Sequence, residues 1–262
     1  MFNEEQKNEI FSTEQHLTLQ QLLTLQNLAE KTIFPSTNVD EDHDKQLDAQ
    51  GSAIEESYRK WRLLSDEVQL HVWQEKCLSI WLENGFGTVK VATGGGKTIF
   101  ALAAAQKLQN TLESDLRLVI IVPTIPLMHQ WLGELTQANI PPARIALMGG
   151  GQSPSDDPNI RILICVLNSA RDRLPALVNR FNWSSRLLLV VDECHRANAS
   201  EARKIFDTDP KYTLGLSATP EDDAGDSFIP TDEAYALSEV GKGLGPIIFE
   251  FSLRKESRVW KC

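Results

Sequence analysis

Five short apolar runs, rich in β-branched residues and separated by stretches of helical composition, constrain the fold more than any other feature of the sequence. The predicted strands are residues 88–92, 116–122, 160–167, 186–191 and 212–216, with helices predicted at Ile99–Gln109 and Pro126–Ala138. Because these strands are apolar on both faces, each face of the sheet needs a cover of helices. The sequence therefore predicts an α/β fold with a doubly wound, mostly parallel sheet, in which ligands bind at the carboxyl ends of the strands.

Residues 1–65 differ in pattern from the rest of the chain and predict an N-terminal helical appendage. Apolar residues at helical spacing predict an amphipathic helix at Phe11–Leu28. The polar, acidic stretch at residues 35–52 predicts an exposed linker, and Ile54–Leu64 predicts a second helix. Residues 66–262 then form the main α/β domain. Two roles of the appendage stay open, packing on the main domain and docking or regulation.

The overall composition excludes several classes of protein. Hydrophobic residues make up 42% of the chain and charged residues 24%, as in ordinary globular proteins. No apolar run approaches the roughly 20 residues that cross a bilayer, and the acidic, polar N-terminus is not a secretory or transit signal. We expect a cytoplasmic protein without membrane contact. Four scattered cysteines predict neither a zinc site nor a disulfide framework.

The formal net charge of −10 restricts the ways in which the chain can contact nucleic acid. Non-specific affinity for nucleic acid comes mainly from Lys and Arg side chains that neutralise phosphates. Any such contact must therefore be local, use backbone N–H groups, or depend on a partner surface.

The segment Thr93–Thr98 (TGGGKT) follows a predicted strand and opens a predicted helix, which is the context of a phosphate-binding loop. Glycines let backbone N–H groups surround a phosphate chain, and the helix adds the positive end of its dipole. In such a loop Lys97 reaches the β- and γ-phosphates, and the Thr98 hydroxyl is a ligand of Mg²⁺. The strict form G-x-x-x-x-G-K-[ST] is not met, because Val91 replaces the first glycine. A plain glycine turn with a nearby lysine is the alternative.

Two adjacent carboxylates, Asp192 and Glu193, end the apolar strand 186–191. Unpaired carboxylates are costly to bury, so a buried strand that ends in two of them predicts a function for the pair. Asp192 is the candidate Mg²⁺ ligand, and Glu193 is the candidate base that orients and deprotonates an attacking water. The alternative is an acidic strand end exposed to solvent.

A series of further short motifs accompanies the loop and the acidic pair in a fixed order. Gly94, Gly96, Lys97 and Thr98 match the loop form A-x-x-G-x-G-K-T, and Asp192–His195 reads Asp-Glu-Cys-His. The other motifs are Trp73-Gln74, Leu118–Trp131, Val166–Ser169 and Leu214–Pro220. In sequence and order these segments resemble the Q, Ia, Ic and Ser-Ala-Thr motifs and the DExH box of superfamily 2 helicases, in particular DNA-repair helicases and the motor subunits of restriction enzymes. The resemblance covers about residues 70 to 221.

The resemblance implies a RecA-like lobe that uses ATP and Mg²⁺ as cofactors. Gln74 would bind the adenine edge with Trp73 packed beside it, although Trp73 is equally compatible with a position in the core. The implied nucleotide-binding residues are Gln74, Thr93, Gly94, Gly95, Gly96, Lys97, Thr98 and Ile99. The implied catalytic residues are Lys97, Asp192 and Glu193, and the implied metal ligands are Thr98 and Asp192.

The resemblance also implies a nucleic-acid partner. His195, Ser217 and Thr219 would couple the state of the γ-phosphate to the nucleic-acid surface. Nucleic acid would lie along Pro123, Thr124, Gly149–Gly151, Asn168 and Ser169, which offer backbone N–H groups and hydroxyls and need little net positive charge. The form P-T-x-x-L-x-x-Q-W at Pro123–Trp131 resembles DNA motors more than RNA-unwinding relatives, so DNA is favoured over RNA.

No Q-x-x-G-R-x-x-R pattern, typical of the second motor lobe, occurs in the 262 residues. That lobe supplies arginine fingers worth about 10³–10⁵ in rate. The expectation is therefore a single lobe that binds ATP but hydrolyses it poorly alone, with the second lobe on another chain or lost from a truncated or split product. A nucleotide-sensing binding module without hydrolysis is the alternative, although such a module has no chemical need for Glu193.

Overall fold

The computed structural model describes residues 60–154, 156–197, 202–218, 235, 238–251 and 259–260. The chain divides into two compact units, residues 1–56 with 141–143 and residues 57–140 with 144–262. The sheet and its helices belong to the second unit. The predicted helix at Phe11–Leu28 and the predicted linker at 35–52 lie outside the described residues, so the N-terminal appendage stays a prediction.

An eight-stranded sheet forms the centre of this unit. Its strands are β1 (Thr88–Val91), β2 (Arg117–Val122), β3 (Ile145–Met148), β4 (Ile162–Val166), β5 (Leu187–Val191), β6 (Tyr212–Ser217), β7 (Ile247–Phe251) and β8 (Val259–Trp260). The strand order is β3-β4-β2-β5-β6-β1-β7-β8. Strands β1 to β7 are parallel, and β8 pairs antiparallel with β7. The predicted mostly parallel sheet is confirmed.

Helices cover both faces of the sheet. They are α1 (Val72–Asn84), α2 (Lys97–Thr111), α3 (Ile125–Glu134), α4 (Leu167–Phe181) and α5 (Glu239–Leu244). Alternate strand residues face two separate cores: Ile120 packs with buried residues of α1, α2 and α3, and Val119 with those of α4 and α5. The doubly wound arrangement is therefore confirmed. Among the described residues, no helix has the length and apolar character needed to span a bilayer.

Several predicted boundaries change in the structure. Residues 60–64, predicted as the end of a helix, are not helical. Trp61 and Leu63 are buried in the first core, and the backbone N–H of Trp61 donates to Gln109 Oε1 at 2.8 Å. This segment of the predicted appendage therefore belongs to the same compact unit as the sheet.

Two other elements end earlier than predicted, and three strands, β3, β7 and β8, lie outside the five predicted apolar runs. The strand predicted at 160–167 is Ile162–Val166, because α4 begins at Leu167. The helix predicted to run to Ala138 ends at Glu134 and continues as a 3₁₀ turn at Leu135–Gln137. Strand β3 lies at the sheet edge and is only half-buried over most of its length. Its four residues, Ile-Ala-Leu-Met, are apolar but include a single β-branched side chain, which is a weak strand signal.

Candidate nucleotide and metal site

The carboxyl ends of the parallel strands divide the predicted site residues into two groups. Strands β5, β6 and β1 are neighbours, and their ends carry the Asp192-Glu193 pair, Ser217 and the Thr93–Thr98 loop. Strands β3, β4 and β2 form the other half of the sheet edge, and their ends carry Gly149–Gly151, Asn168 with Ser169, and Pro123 with Thr124. Thr219 lies outside the described residues. We call these groups the nucleotide half and the track half.

The loop between β1 and α2 has a conformation that requires glycine. Gly94 and Gly96 have φ angles of 79° and 87°, in the left-handed region. At Gly95 a Cβ would overlap the Val91 side chain, and at Gly96 it would lie 2.8 Å from Gln74 Nε2. The loop therefore presents backbone without side chains directly before the amino end of α2, which suits a phosphate chain.

Lys97 and Thr98 are the first two residues of α2 and lie half-buried beside this loop. The Lys97 ammonium donates to the Val91 carbonyl at 2.8 Å, so the charge is held at the loop. Burial raises the pKa of the Asp192 carboxyl, and the positive charge of Lys97 opposes that rise. Ile99 follows in the first turn of the same helix.

Gln74 connects the amino end of α1 to the phosphate loop. Its Oε1 accepts the backbone N–H of His71 at 2.7 Å, and its Nε2 donates to the Gly96 carbonyl at 2.9 Å. The side chain is buried, with Gln74 only 1% exposed. Gln74 thus fixes the loop, and its predicted contact with adenine stays a prediction.

Trp73 is half-buried and packs against the first core, while its predicted position beside adenine stays a prediction. Its ring stacks on Phe249 with a centroid distance of 5.0 Å and an interplanar angle of 6°. The ring of Phe100 lies 5.6 Å away on a tilted plane. These contacts hold α1 against α2 and β7.

The Asp192 carboxylate lies at the end of β5 and is fixed at both oxygens. Oδ2 accepts the indole N–H of Trp131 at 2.9 Å, and Oδ1 accepts the backbone N–H of Glu193 at 2.9 Å. Burial raises the pKa of Asp192, against the hydrogen bond from Trp131, which lowers it. A partly desolvated carboxylate next to a lysine is a suitable ligand for a divalent cation.

Glu193 adopts a backbone conformation that is unusual for its residue type. Its φ is 49°, in the left-handed region. Oε2 accepts the backbone N–H of Ala218 at 3.3 Å, directly after the end of β6. The strained turn therefore directs the carboxylate of Glu193 across the gap between β5 and β6.

His195 and Ser217 make the contact that the family resemblance implies. His195 Nδ1 lies 3.1 Å from Ser217 Oγ and 3.4 Å from Glu193 Oε2. The Ser217 hydroxyl also lies 3.1 Å from the Ala218 carbonyl, and which partner donates between His195 and Ser217 depends on the tautomer of the histidine. His195 therefore contacts both Glu193, the candidate base, and Ser217 in β6. Strand β6 lies between β5, which carries the acidic pair, and β1, which leads into the phosphate loop.

The sequence did not identify two residues that support this group. Trp131 belongs to the quoted motif Leu118–Trp131 but received no role there, and a buried indole N–H that needs a partner was the available signal. Tyr235 lies far along the chain, and its hydroxyl is 2.6 Å from Thr88 Oγ1 of β1. The same hydroxyl makes a hydrogen bond with the Cys194 thiol. Burial raises the pKa of this thiol to about 12. Tyr235 thus connects the Asp-Glu-Cys-His box to the strand that leads into the phosphate loop.

In the track half the glycine turn lies close to Ser169 and to Ile125, the residue that follows Thr124. A Cβ placed on Gly149 would lie 3.5 Å from Ser169 Oγ, and one on Gly150 would lie 3.1 Å from the Ile125 side chain. Thr124 caps α3, where its hydroxyl accepts the Leu127 N–H at 3.5 Å. Gly149–Gly151 all have positive φ, and Gly150 and Gly151 are exposed, whereas the predicted track residue Gly149 is buried. None of the predicted track residues carries a charged side chain.

The oxygen donors of the nucleotide half fit Mg²⁺ held together with phosphates. Among the described residues, no group of three or more His, Cys, Asp or Glu side chains could hold a metal ion. Mg²⁺ is usually bound by one or two protein oxygens, substrate phosphates and water, and not by a cage of side chains. Asp192 and Thr98, next to a loop shaped for phosphates, are such a donor set.

Comparisons with known proteins agree with this geometry. The family model described as "Type III restriction enzyme, res subunit" matches residues 48–222. DNA 3'-5' translocase XPB2 of Sulfurisphaera tokodaii is 29% identical over 197 residues, which are 74% of this chain and 38% of that protein. The crystal structure of the Pyrococcus furiosus Hef helicase domain superposes on this chain with a TM-score of 0.54 at 24% identity. The match covers 69% of this chain and 38% of the Hef chain. This chain thus spans well under half of either protein.

The likeness to the Hef structure concerns the fold and identifies the doubly wound sheet as RecA-like. The family match covers the phosphate loop, the Asp-Glu-Cys-His box and Leu214–Pro220 within a single span. The chain therefore belongs to the family of the type III restriction enzyme res subunit, within superfamily 2 of the helicases, and corresponds to the first RecA-like lobe of these proteins.

Proposed function

We propose that this chain is the ATP-binding first motor lobe of a DNA helicase or translocase and that efficient hydrolysis needs a second RecA-like lobe. The observation that carries the proposal is the placement of a side-chain-free phosphate loop after β1 and an Asp-Glu pair after β5, at the same edge of the sheet with only β6 between them. Lys97 lies within electrostatic reach of Asp192 across that gap. A phosphate chain between them would meet one cation, one candidate metal ligand and one candidate base.

The residues of the chain would divide the work as follows. The backbone of Gly94–Gly96 and the amino end of α2 bind phosphates, while Lys97 neutralises charge on them. Mg²⁺, when bound, screens phosphate charge, and Asp192 and Thr98 would hold it. Glu193, fixed by the Ala218 N–H, orients a water and takes its proton. An arginine from a second lobe would complete the charge stabilisation, which accounts for the expected slow turnover of one lobe alone.

The track half suits a nucleic-acid partner, and the relative XPB2 favours DNA. Its backbone turn and hydroxyls suit phosphates, and such contacts do not depend on sequence. The relative XPB2 is by its name a DNA translocase, and it is 29% identical to this chain. Because the uncharged track residues need no local excess of Lys and Arg, the net charge of −10 is compatible with this role.

Substitution of Lys97 tests the nucleotide site. Lys97→Ala should weaken binding of an ATP analogue by about 100-fold, since it removes the cation of the loop. Lys107→Ala is the matched control, because Lys107 is an exposed lysine on the same helix. Calorimetry of both variants would measure the effect, and unchanged affinity in Lys97→Ala would refute the nucleotide site.

Turnover measurements separate the proposed motor from the sensing module. ATP hydrolysis should be slow for the chain alone and should rise when DNA and a candidate second lobe are added together. Tight nucleotide binding with no such rise, for every second lobe tested, would favour a nucleotide-sensing module without hydrolysis.

A further inference from the structure

The strongest unassigned contact near the site is the hydrogen bond between Trp131 and Asp192. Trp131 lies on α3, is only 2% exposed, and donates its indole N–H to Asp192 Oδ2 over 2.9 Å. Asp192 Oδ1 accepts the backbone N–H of Glu193. The backbone N–H of Asp192 donates to the carbonyl of Ile121. Trp131 is thus the side chain that orients the candidate metal ligand.

The chemistry of the indole suits this role. An indole N–H is a single donor that cannot also accept, and a buried Trp ring has little rotational freedom. A carboxylate that accepts one hydrogen bond on Oδ2 keeps its other lone pairs in a fixed direction. Partners of this kind orient metal ligands, and their loss typically costs about 10- to 100-fold in metal affinity.

Helix α3 joins this contact to the track half of the sheet edge. The helix begins at Ile125, directly after Pro123 and Thr124, and Trp131 follows on its buried side. Ile125 itself packs against the glycine turn at Gly150. A shift of the amino end of α3 would therefore be passed along this ten-residue helix to the indole that holds Asp192.

We propose that Trp131 is a positioning residue for the Mg²⁺ site and that, through α3, it connects the nucleic-acid track to Asp192. The inference rests on the proposed function, because it requires Mg²⁺ and nucleotide at this site. If Trp131 had only a structural role, its substitution would affect folding. It would not raise the Mg²⁺ concentration needed for binding while leaving the nucleotide affinity in EDTA unchanged.

Trp131→Phe tests the proposal, with Trp81→Phe as its matched control. Trp81 is also fully buried and also donates its indole N–H over 2.9 Å, but to the backbone carbonyl of Thr213 in β6. Affinity for a non-hydrolysable ATP analogue is measured in EDTA and across a Mg²⁺ titration. Trp131→Phe should raise the half-saturating Mg²⁺ concentration by about tenfold and leave the affinity in EDTA within about twofold of wild type. Trp81→Phe should change neither quantity.

Each of the following outcomes would overturn the inference or the proposed function on which it rests. An unchanged Mg²⁺ requirement in Trp131→Phe, or an equal change in Trp81→Phe, refutes the positioning role. Failure of the wild-type chain to bind the analogue refutes the proposed function instead. If a single-stranded oligonucleotide shifts the half-saturating Mg²⁺ concentration of wild type, it should not shift that of Trp131→Phe. An equal shift in both, or no shift in wild type, refutes the connection through α3.

A measurement on the wild-type protein covers the case in which Trp131→Phe does not fold. In ¹⁵N-labelled protein each indole N–H gives a separate resonance. Adding Mg²⁺ to the ADP complex should shift the Trp131 indole resonance and leave that of Trp81 in place. Equal responses of the two resonances would contradict the positioning role.

Discussion

The two halves of the sheet edge differ in what they offer a ligand. In the nucleotide half, side chains are fixed by bonds within the protein: Lys97 to Val91, Gln74 to Gly96, and Asp192 to Trp131. In the track half, the predicted contacts are an exposed glycine turn, two hydroxyls and an amide, without charged side chains.

This difference matches two kinds of ligand. A single small ligand with fixed charges is best held by preorganised charges in a partly buried site, where electrostatic interactions are strong. A repeating polymer that must move past the protein is better served by backbone and hydroxyl groups that contact each phosphate alike. We therefore expect substitutions in the nucleotide half to weaken nucleotide binding, and matched substitutions in the track half to leave nucleotide affinity unchanged.

The largest expected effect on nucleotide affinity comes from adding a methyl group in the nucleotide half, and the same change in the track half is its control. Gly95→Ala should weaken nucleotide binding by about 100-fold, or about 2.8 kcal/mol, because its Cβ would overlap Val91 and displace the loop. Gly151→Ala has open space around its Cβ but a φ of 84°. It should cost about 1 kcal/mol of stability and leave nucleotide affinity unchanged. Calorimetry and thermal unfolding would measure both, and equal losses of affinity would contradict the division into halves.

A second comparison uses two buried glutamines that each bridge backbone groups. Gln74 bridges His71 and Gly96, whereas Gln109 bridges Trp61 and Ser114. Replacing either by Ala removes both hydrogen bonds of a buried side chain and should lower the free energy of unfolding by about 1–3 kcal/mol. Only Gln74→Ala should also weaken nucleotide binding, by about tenfold. If Gln109→Ala weakens nucleotide binding as much, the effect is one of general stability.

The fold was predictable because its signal lies in consecutive residues. The run Leu187–Val191 is apolar on both faces, which places it inside a covered parallel sheet, and the residues after it must then lie at the ligand-binding edge. The edge strand Ile145–Met148 is also apolar, but it has four residues and one β-branched side chain, and so short a run is equally compatible with a helical segment.

The supporting contacts of the site were not predictable for a different reason. Trp131 and Asp192 are 61 positions apart in the chain, and Thr88 and Tyr235 are 147 apart. Short motifs identify the residues that meet a ligand, but pairings between distant residues depend on how helices pack on the sheet. The sequence accordingly proposed adenine as the partner of Gln74, whereas the structure adds its bond to the loop at Gly96.

A third comparison removes a helix cap in the track half. Thr124→Ala deletes the cap of α3 and should cost about 1 kcal/mol of stability, with weaker DNA binding but unchanged nucleotide affinity in EDTA. Ser238→Ala is the control, because Ser238 caps α5 by accepting the Gly241 N–H at 3.0 Å. Band shifts with a DNA oligonucleotide would measure the difference. Equal DNA affinity of the two variants would argue against Thr124 as part of the track.

The smallest expected effect concerns the strained backbone at Glu193. The other non-glycine residues with positive φ in the described part of the chain are Asn182 and Asp209, which are types that tolerate this region, whereas Glu does so poorly. Glu193→Asn should therefore raise stability by about 0.5–1 kcal/mol, while it removes any ability to activate water. Glu193→Gln removes the same charge but keeps a side chain unsuited to this φ, so it should gain less. Thermal unfolding of the two variants isolates the backbone contribution. If Gln stabilises the chain as much as Asn, the gain comes from relief of repulsion between the Asp192 and Glu193 carboxylates, and the strain argument fails.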